Sequence, residues 1–160
     1  MYKIESLSPA HDRDAFDCEE ESLNDFLKRF ARQNSEKGLG RTFVAVLPEE
    51  NKIYGYYTIS SGAVSFANLT ENLPRYPIPV AHLGRLAIDK TAKGQGLGKA
   101  LLIDALRRIA EVSEQLGIYA VEVYALNEAA KNFYLKFGFT ELKDDQFHLY
   151  LPMKIVRRLF

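Results

Sequence analysis

Lys93-Gly94-Gln95-Gly96-Leu97-Gly98-Lys99 follows an apolar extended run, Leu83 to Ile88, and precedes a long helical pattern that begins near Gly98. The local reading is strand, glycine loop, helix. Alternate glycines strip one edge of the turn of Cβ atoms, so successive backbone N–H groups can converge on a bound anion. The helix adds its own donors. Its first four N–H groups lack intrahelical partners and carry about half a positive charge between them, which favours a phosphate or pyrophosphate. Two nucleotide fingerprints fail here. A dinucleotide motif starting at Gly94 needs glycine where Lys99 stands, and a P-loop ending at Gly98-Lys99 needs glycine and Ser or Thr where Lys93 and Ala100 stand.

Downstream of the loop, Leu102, Ala105, Leu106, Ile109, Val112 and Leu116 keep helical spacing to a stop at Gly117. Ile118 to Ala125 is a nearly continuous run of β-formers, the pattern of a strand buried on both faces and neighbouring the glycine-loop strand. A short helix over Glu128 to Phe137 is expected to turn Ala129, Ala130, Phe133 and Phe137 to the core and to end at Gly138. Phe139 to Leu142 and Phe147 to Leu151 read as a closing hairpin around Asp144-Asp145, followed by a basic, apolar tail from Ile155 to Phe160.

Upstream, Tyr2 to Leu7 reads as a first strand, followed by an acidic approach from Asp12 to Glu21. Ser22 and Asp25 read as a capping signal for a helix with Leu23, Phe26, Leu27 and Phe30 on one side and Lys28, Arg29 and Arg32 on the other. With Lys37 and Arg41, these make a local basic patch relieved only by Glu36; an ordinary exposed helix face and a phosphate-tracking surface are both open readings. Thr42 to Val46 and Lys52 to Ser60 read as a hairpin over Pro48-Glu49-Glu50-Asn51. Pro74, Pro77 and Pro79 argue for an irregular stretch from Phe66 to Pro79, leading into a strand over Val80 to Ile88. The alternation of strands and helices gives an α/β class with a central mixed sheet flanked by helices.

At 160 residues with 47% apolar content, the chain suits one domain, residues 1–160. Basic and acidic residues balance at 21 each, so bulk charge argues for neither nucleic acid nor membrane. Cys18 is the only cysteine, no signal peptide opens the chain and no run is long enough to span a bilayer, which together give a cytoplasmic expectation. His11, His82 and His148 lack metal-ligand spacing, so no metal is expected, and Ser60-Ser61 lacks a nucleophile elbow.

The order of elements, the loop and the segment Asn127-Glu128-Ala129-Ala130-Lys131-Asn132-Phe133-Tyr134-Leu135-Lys136-Phe137-Gly138-Phe139 resemble the GNAT superfamily of N-acetyltransferases. The superfamily's loop pattern has Gln or Arg where Lys93 stands, and its two small positions fall on Gly96 and Gly98. The resemblance implies acetyl-CoA as cofactor, its pyrophosphate on the loop formed by Lys93, Gly94, Gln95, Gly96, Leu97, Gly98 and Lys99. It also implies a pantetheine arm paired like an added strand with the backbone at Leu86, Ala87 and Ile88, and Asn127 and Tyr134 flanking the thiol end. Tyr134 is the implied general acid, since a phenol of pKa about 10 can protonate a thiolate of pKa about 8.5. For the base, the glycine-loop strand offers His82, Arg85 and Asp89 where many such enzymes have glutamate.

Phe16-Asp17-Cys18, Ser22-Leu23-Asn24-Asp25-Phe26-Leu27, Gly55-Tyr56-Tyr57-Thr58-Ile59-Ser60 and Pro79-Val80-Ala81-His82-Leu83-Gly84-Arg85-Leu86-Ala87-Ile88-Asp89 narrow the likeness. They resemble the acetyltransferase toxins of type II toxin-antitoxin modules. That resemblance implies acetylation of the α-amino group of aminoacyl-tRNA and control by a ribbon-helix-helix antitoxin. A homodimer remains open beside these partners. Lys28, Arg29, Arg32 and Arg85 become candidate RNA contacts. An acetyltransferase of a small amine or protein N-terminus, and a non-catalytic CoA-binding module, stay open as alternatives.

Overall fold

The protein is described as a computed structural model covering residues 1–160. Seven strands, β1 (Lys3–Ser6), β2 (Arg41–Val46), β3 (Gly55–Val64), β4 (Ile78–Ile88), β5 (Ala120–Tyr124), β6 (Thr140–Glu141) and β7 (His148–Pro152), form one sheet in the order β1-β2-β3-β4-β5-β7-β6. β4 and β5 are parallel, whereas β1 with β2, β2 with β3, β5 with β7 and β6 with β7 are antiparallel. The mixed α/β class is as expected. The chain divides into two compact units, Met1–Ser60 with Gly84–Ala105, and Ser61–Leu83 with Leu106–Phe160.

In the first unit, α1 (Glu21–Asp25) runs through a π-turn (Phe26–Phe30) into α2 (Ala31–Glu36). Phe16, Leu27, Val44, Ile53 and Tyr56 are among the buried side chains that pack together there. Truncating one of these large aliphatics, such as Leu27, to Ala costs about 2–5 kcal/mol through lost transfer energy and a residual cavity. Two expectations are corrected here. The helix starts earlier than the Ser22–Asp25 signal requires, from Glu20, which makes no side-chain cap, so Ser22 lies inside its first turn; Asn24 accepts from Cys18 N–H (2.9 Å) and donates to Asp17 (3.0 Å). Phe30 is exposed rather than inward. In the π-turn, Ala31 N–H reaches back to Phe26 C=O, an i to i+5 bond that adds one residue to the turn and puts fully buried Ala31 where periodicity puts Phe30.

Between β4 and the glycine loop, Asp89 caps a 3-10 turn (Lys90–Ala92), and α3 (Leu97–Val112) follows the loop. Leu101, Leu102, Ala105, Leu106 and Ile109 are buried, but Val112 and Leu116 are exposed, because the helix stops at Val112 and gives way to turns before Gly117.

In the second unit, Val64, Leu69, Ile78, Val80, Ala120, Leu142 and Tyr150 pack together. The loop before β4 is pinned by Glu71, whose carboxylate accepts hydrogen bonds from Thr70, Tyr119 and Tyr150 hydroxyls. α4 (Glu128–Lys136) buries Lys131 and Tyr134 and leaves Ala129 exposed, contrary to the expected face; Lys131 is held by Glu141 at 2.9 Å. A short α5 (Met153–Val156) and a 3-10 turn occupy the basic tail.

Candidate active site

β4, the longest strand, sets the geometry. Its parallel ladder with β5 pairs Val80 with Ala120 through Leu83 with Val123 and ends there, so Gly84 to Ile88 continue beyond the paired stretch. Leu86, Ala87 and Ile88 lie in that continuation. Asp89 closes it: its buried carboxylate accepts from Asp17 N–H (2.9 Å), Thr91 N–H (3.0 Å) and Thr91 Oγ1 (2.5 Å). Burial would raise its pKa, but these donors outweigh it and hold the carboxyl below its ordinary range. With its oxygens so occupied, Asp89 fixes the turn and is withdrawn from the candidates for a base.

The glycine loop hangs between two buried side chains, Ala92 and Leu97, while Lys93, Gly94, Gln95 and Gly96 are exposed. Gly94 and Gly96 take φ of +78° and +77°, the left-handed region that suits glycine, and a Cβ built on either meets nothing within 4 Å. The space over the loop is therefore open to an anion. Gly98 lies inside the first turn of α3 rather than in the loop, so two glycines, not three, set the left-handed turns, and Gly98 with Lys99 contributes helix-terminal amides. Lys93 pairs with Glu19 at 2.9 Å, a hydrogen bond that raises the ammonium's pKa, and Gln95 accepts from Tyr2 Oη at 2.8 Å.

Asn127 is the N-cap of α4, its Oδ1 accepting from Ala130 N–H at 2.9 Å. Tyr134 lies two turns further on, 7% exposed, edge-on to Phe133 and tilted against Phe139 at centroid distances of 5.2 and 5.4 Å. Its hydroxyl has no hydrogen-bond partner. Burial pushes its pKa well above the ordinary value, so the phenol keeps its proton throughout the neutral range.

The basic patch is carried by α1, the π-turn and α2. Lys28 is exposed, Arg29 pairs with Asp25 at 3.3 Å, and Arg32 pairs with Glu36 at 3.6 Å. Arg85, on β4, packs on the first residue of that π-turn, its guanidinium 3.6 Å from the centroid of the Phe26 ring.

A hydrogen-bonded line from His82 through Glu122 and His148 to Asp144 escaped the sequence reading. The signal was present in Glu122, the one charge inside the apolar run Ile118 to Ala125, since a buried carboxylate demands a partner.

A helix entry with two left-handed glycines, a strand that runs past its β5 ladder and a tyrosine 7% exposed are features expected of a CoA-dependent acyltransferase class. The chain belongs to the GNAT family: its acetyltransferase domain model matches residues 14–156. Among characterised relatives, the chain is similar to a tRNA-acetylating toxin of Mycobacterium tuberculosis, 37% identical over 157 residues, covering 96% of this chain and 93% of that protein. Among solved structures, it resembles the toxin AtaT complexed with acetyl-methionyl-tRNAfMet, with a TM-score of 0.91 and 34% identity over 100% of this chain and 99% of that one. A Tyr-to-Phe mutant of AtaT bound to the C-terminus of the antitoxin AtaR and acetyl-CoA matches with a TM-score of 0.86 and 31% identity, over 100% and 98% of the two chains.

Proposed function

We propose that this chain, acting as one N-acetyltransferase domain over residues 1–160, transfers the acetyl group of acetyl-CoA to the α-amino group of an aminoacyl-tRNA and so blocks translation. The observation that carries this reading is the full-length likeness to a toxin solved with an acetylated aminoacyl-tRNA. The whole-chain likeness to a tRNA-acetylating toxin supports it independently. The bound antitoxin in the AtaT complex supports a further assignment, an antitoxin of the ribbon-helix-helix type that holds this chain inactive in the cytoplasm.

In this reading the backbone amides from Lys93 to Lys99 hold the pyrophosphate, and the stretch at Leu86, Ala87 and Ile88, which lies beyond the β4–β5 ladder, takes the pantetheine arm as an added strand. Acetyl-CoA supplies the thioester. Asn127 and Tyr134 stand at the thiol end, and Tyr134, which no hydrogen bond restrains, gives its proton to the departing sulfur. Lys28, Arg29, Arg32 and Arg85 are the cations offered to RNA phosphates. The α-amine of an aminoacyl ester has a lower pKa than a lysine amine, so more of it is neutral and ready to attack at neutral pH.

The test incubates the purified protein with labelled acetyl-CoA and charged bulk tRNA. Label is expected on the aminoacyl group. Absence of label on every charged tRNA, together with rapid transfer to a polyamine or peptide amine, would overturn the substrate and favour a small-amine or N-terminal acetyltransferase.

A further inference from the structure

The mechanism above leaves unused a line of four polar side chains. His82 on β4 and Glu122 on β5 are register partners, with His82 Nδ1 3.1 Å from Glu122 Oε1. Glu122 Oε2 lies 2.5 Å from His148 Nε2, and His148 Nδ1 is 3.0 Å from both oxygens of Asp144. Glu122 and His148 are 6% and 4% exposed, whereas the His82 side chain, at the far end, is 31% exposed. On β3, a Cβ added at Gly62 would stand 3.2 Å from Glu122 Oε1 and 3.6 Å from His82 Cβ, so a side chain there would crowd the Glu122 carboxylate. Buried ionic groups of this kind add little net stability over well-packed apolar ones, which leaves stability a poor account of the line.

Hydrogen-bond logic fixes the proton positions. Burial by itself would raise the pKa of Glu122, but the bonds from His82 and His148 outweigh it and hold the carboxyl below its ordinary value. An ionised carboxylate only accepts. Nδ1 of neutral His82 therefore carries its proton, and Nε2 presents a lone pair away from Glu122. A carboxylate that sets an imidazole's tautomer in this way prepares it to accept a proton at the other nitrogen. Position agrees. His82–Glu122 is the last rung but one of the β4–β5 ladder, on the same strand as the stretch assigned to the pantetheine arm and four residues before its first member, Leu86.

We propose that His82 is the general base, taking the proton of the attacking amine at Nε2, with Glu122 as its positioning residue and His148 and Asp144 steadying Glu122. The inference rests on the acetyl-transfer reading above. The amine nitrogen forms the C–N bond to the acetyl carbonyl carbon and the C–S bond breaks. The nitrogen's proton goes to His82, the sulfur takes a proton from Tyr134, and water carries the proton from His82 back to Tyr134.

The test uses the full chain and two acceptors, charged bulk tRNA and a short peptide amine. His82→Gln is expected to lower kcat/KM by about a hundredfold and to remove the acid-side limb of its pH profile, with acetyl-CoA binding unchanged by calorimetry. Glu122→Gln is expected to shift that limb and lower kcat/KM less. The groups that share this field are Glu122, His148, Tyr124 (its ring stacked on His148), Asp144 and Asp145. Nitrogen-15 NMR gives a readout apart from turnover. It is expected to find neutral His82 in the Nδ1–H tautomer in the native chain and in the Nε2–H tautomer in Glu122→Gln. An Nε2–H tautomer in the native chain, or a His82→Gln enzyme within about threefold of native with the same pH profile, would overturn the proposal. If the native chain acetylates the peptide and no charged tRNA, the substrate reading fails while His82 is judged on the peptide. A native chain inert toward both acceptors overturns both.

Discussion

Packing, not hydrogen bonding, holds Tyr134. Its ring contacts Phe133 and Phe139 and its hydroxyl bonds to nothing, so Tyr134→Phe removes the oxygen without stranding a partner. The melting temperature should stay close to native while turnover falls by about a hundredfold or more, the usual size of a general-acid contribution. Single-turnover rates with acetyl-CoA in excess would check it, and a near-native rate for the chemical step removes Tyr134 from the mechanism. In cells, the native chain expressed alone should arrest growth and the Tyr134→Phe form should not. Tyr134 stands out in the sequence as a candidate because its helix carries a recognisable segment. Glu122 does not, because its partners His82 and His148 lie 40 and 26 residues away in sequence and only the sheet register brings them together.

At the scale of elements, α1 and α2 and the turn that joins them carry Lys28, Arg29 and Arg32 toward solvent, with Asp25 and Glu36 as their intrahelical partners. Such exposed i, i+4 pairs are worth about 0.3–0.5 kcal/mol, little enough for RNA phosphates to displace them. Replacing all three cations by Gln should weaken tRNA binding. It should also flatten the slope of log K against log salt by about 0.9 for every duplex phosphate that these side chains neutralise. Calorimetry should find acetyl-CoA affinity unchanged, and an unchanged salt slope would detach this face from the substrate. Apolar periodicity predicted this helix well as far as Leu27. It failed at Phe30, because the period assumes a uniform 3.6-residue turn and the π-turn resets it. In α3 the apolar pattern runs on past the helix end at Val112 to Leu116, and both of these residues are exposed.

Across the whole molecule, acid sensitivity follows from carboxylates that accept hydrogen bonds in the folded state. Asp17, Glu71, Asp89 and Glu122 all have pKa values below their ordinary 3.8 or 4.5, because donors from Glu19 N–H, the Thr70, Tyr119 and Tyr150 hydroxyls, Thr91 and the two imidazoles favour the ionised form. A depressed folded pKa gives stability that is complete above the unfolded value and lost as pH falls through the folded one. The thermal midpoint should therefore change little between about pH 7 and pH 5 and fall steeply below about pH 4, as calorimetry can measure. Composition revealed none of this, since an even balance of charges does not say which carboxylates face donors.

The strand order also decides how copies of this chain can meet. The two open margins of the sheet belong to its two smallest strands, β1 with four residues and β6 with two. β1 carries the Lys3–Glu5 ion pair, and both residues of β6 are exposed. A neighbouring backbone finds at either margin only a brief row of amides and carbonyls beside charged or polar groups, the condition that discourages runaway strand addition and fibre growth. Short, charged margins of this kind work against templated aggregation at high local concentration and favour side-chain surfaces over a continued ladder for any pairing of copies.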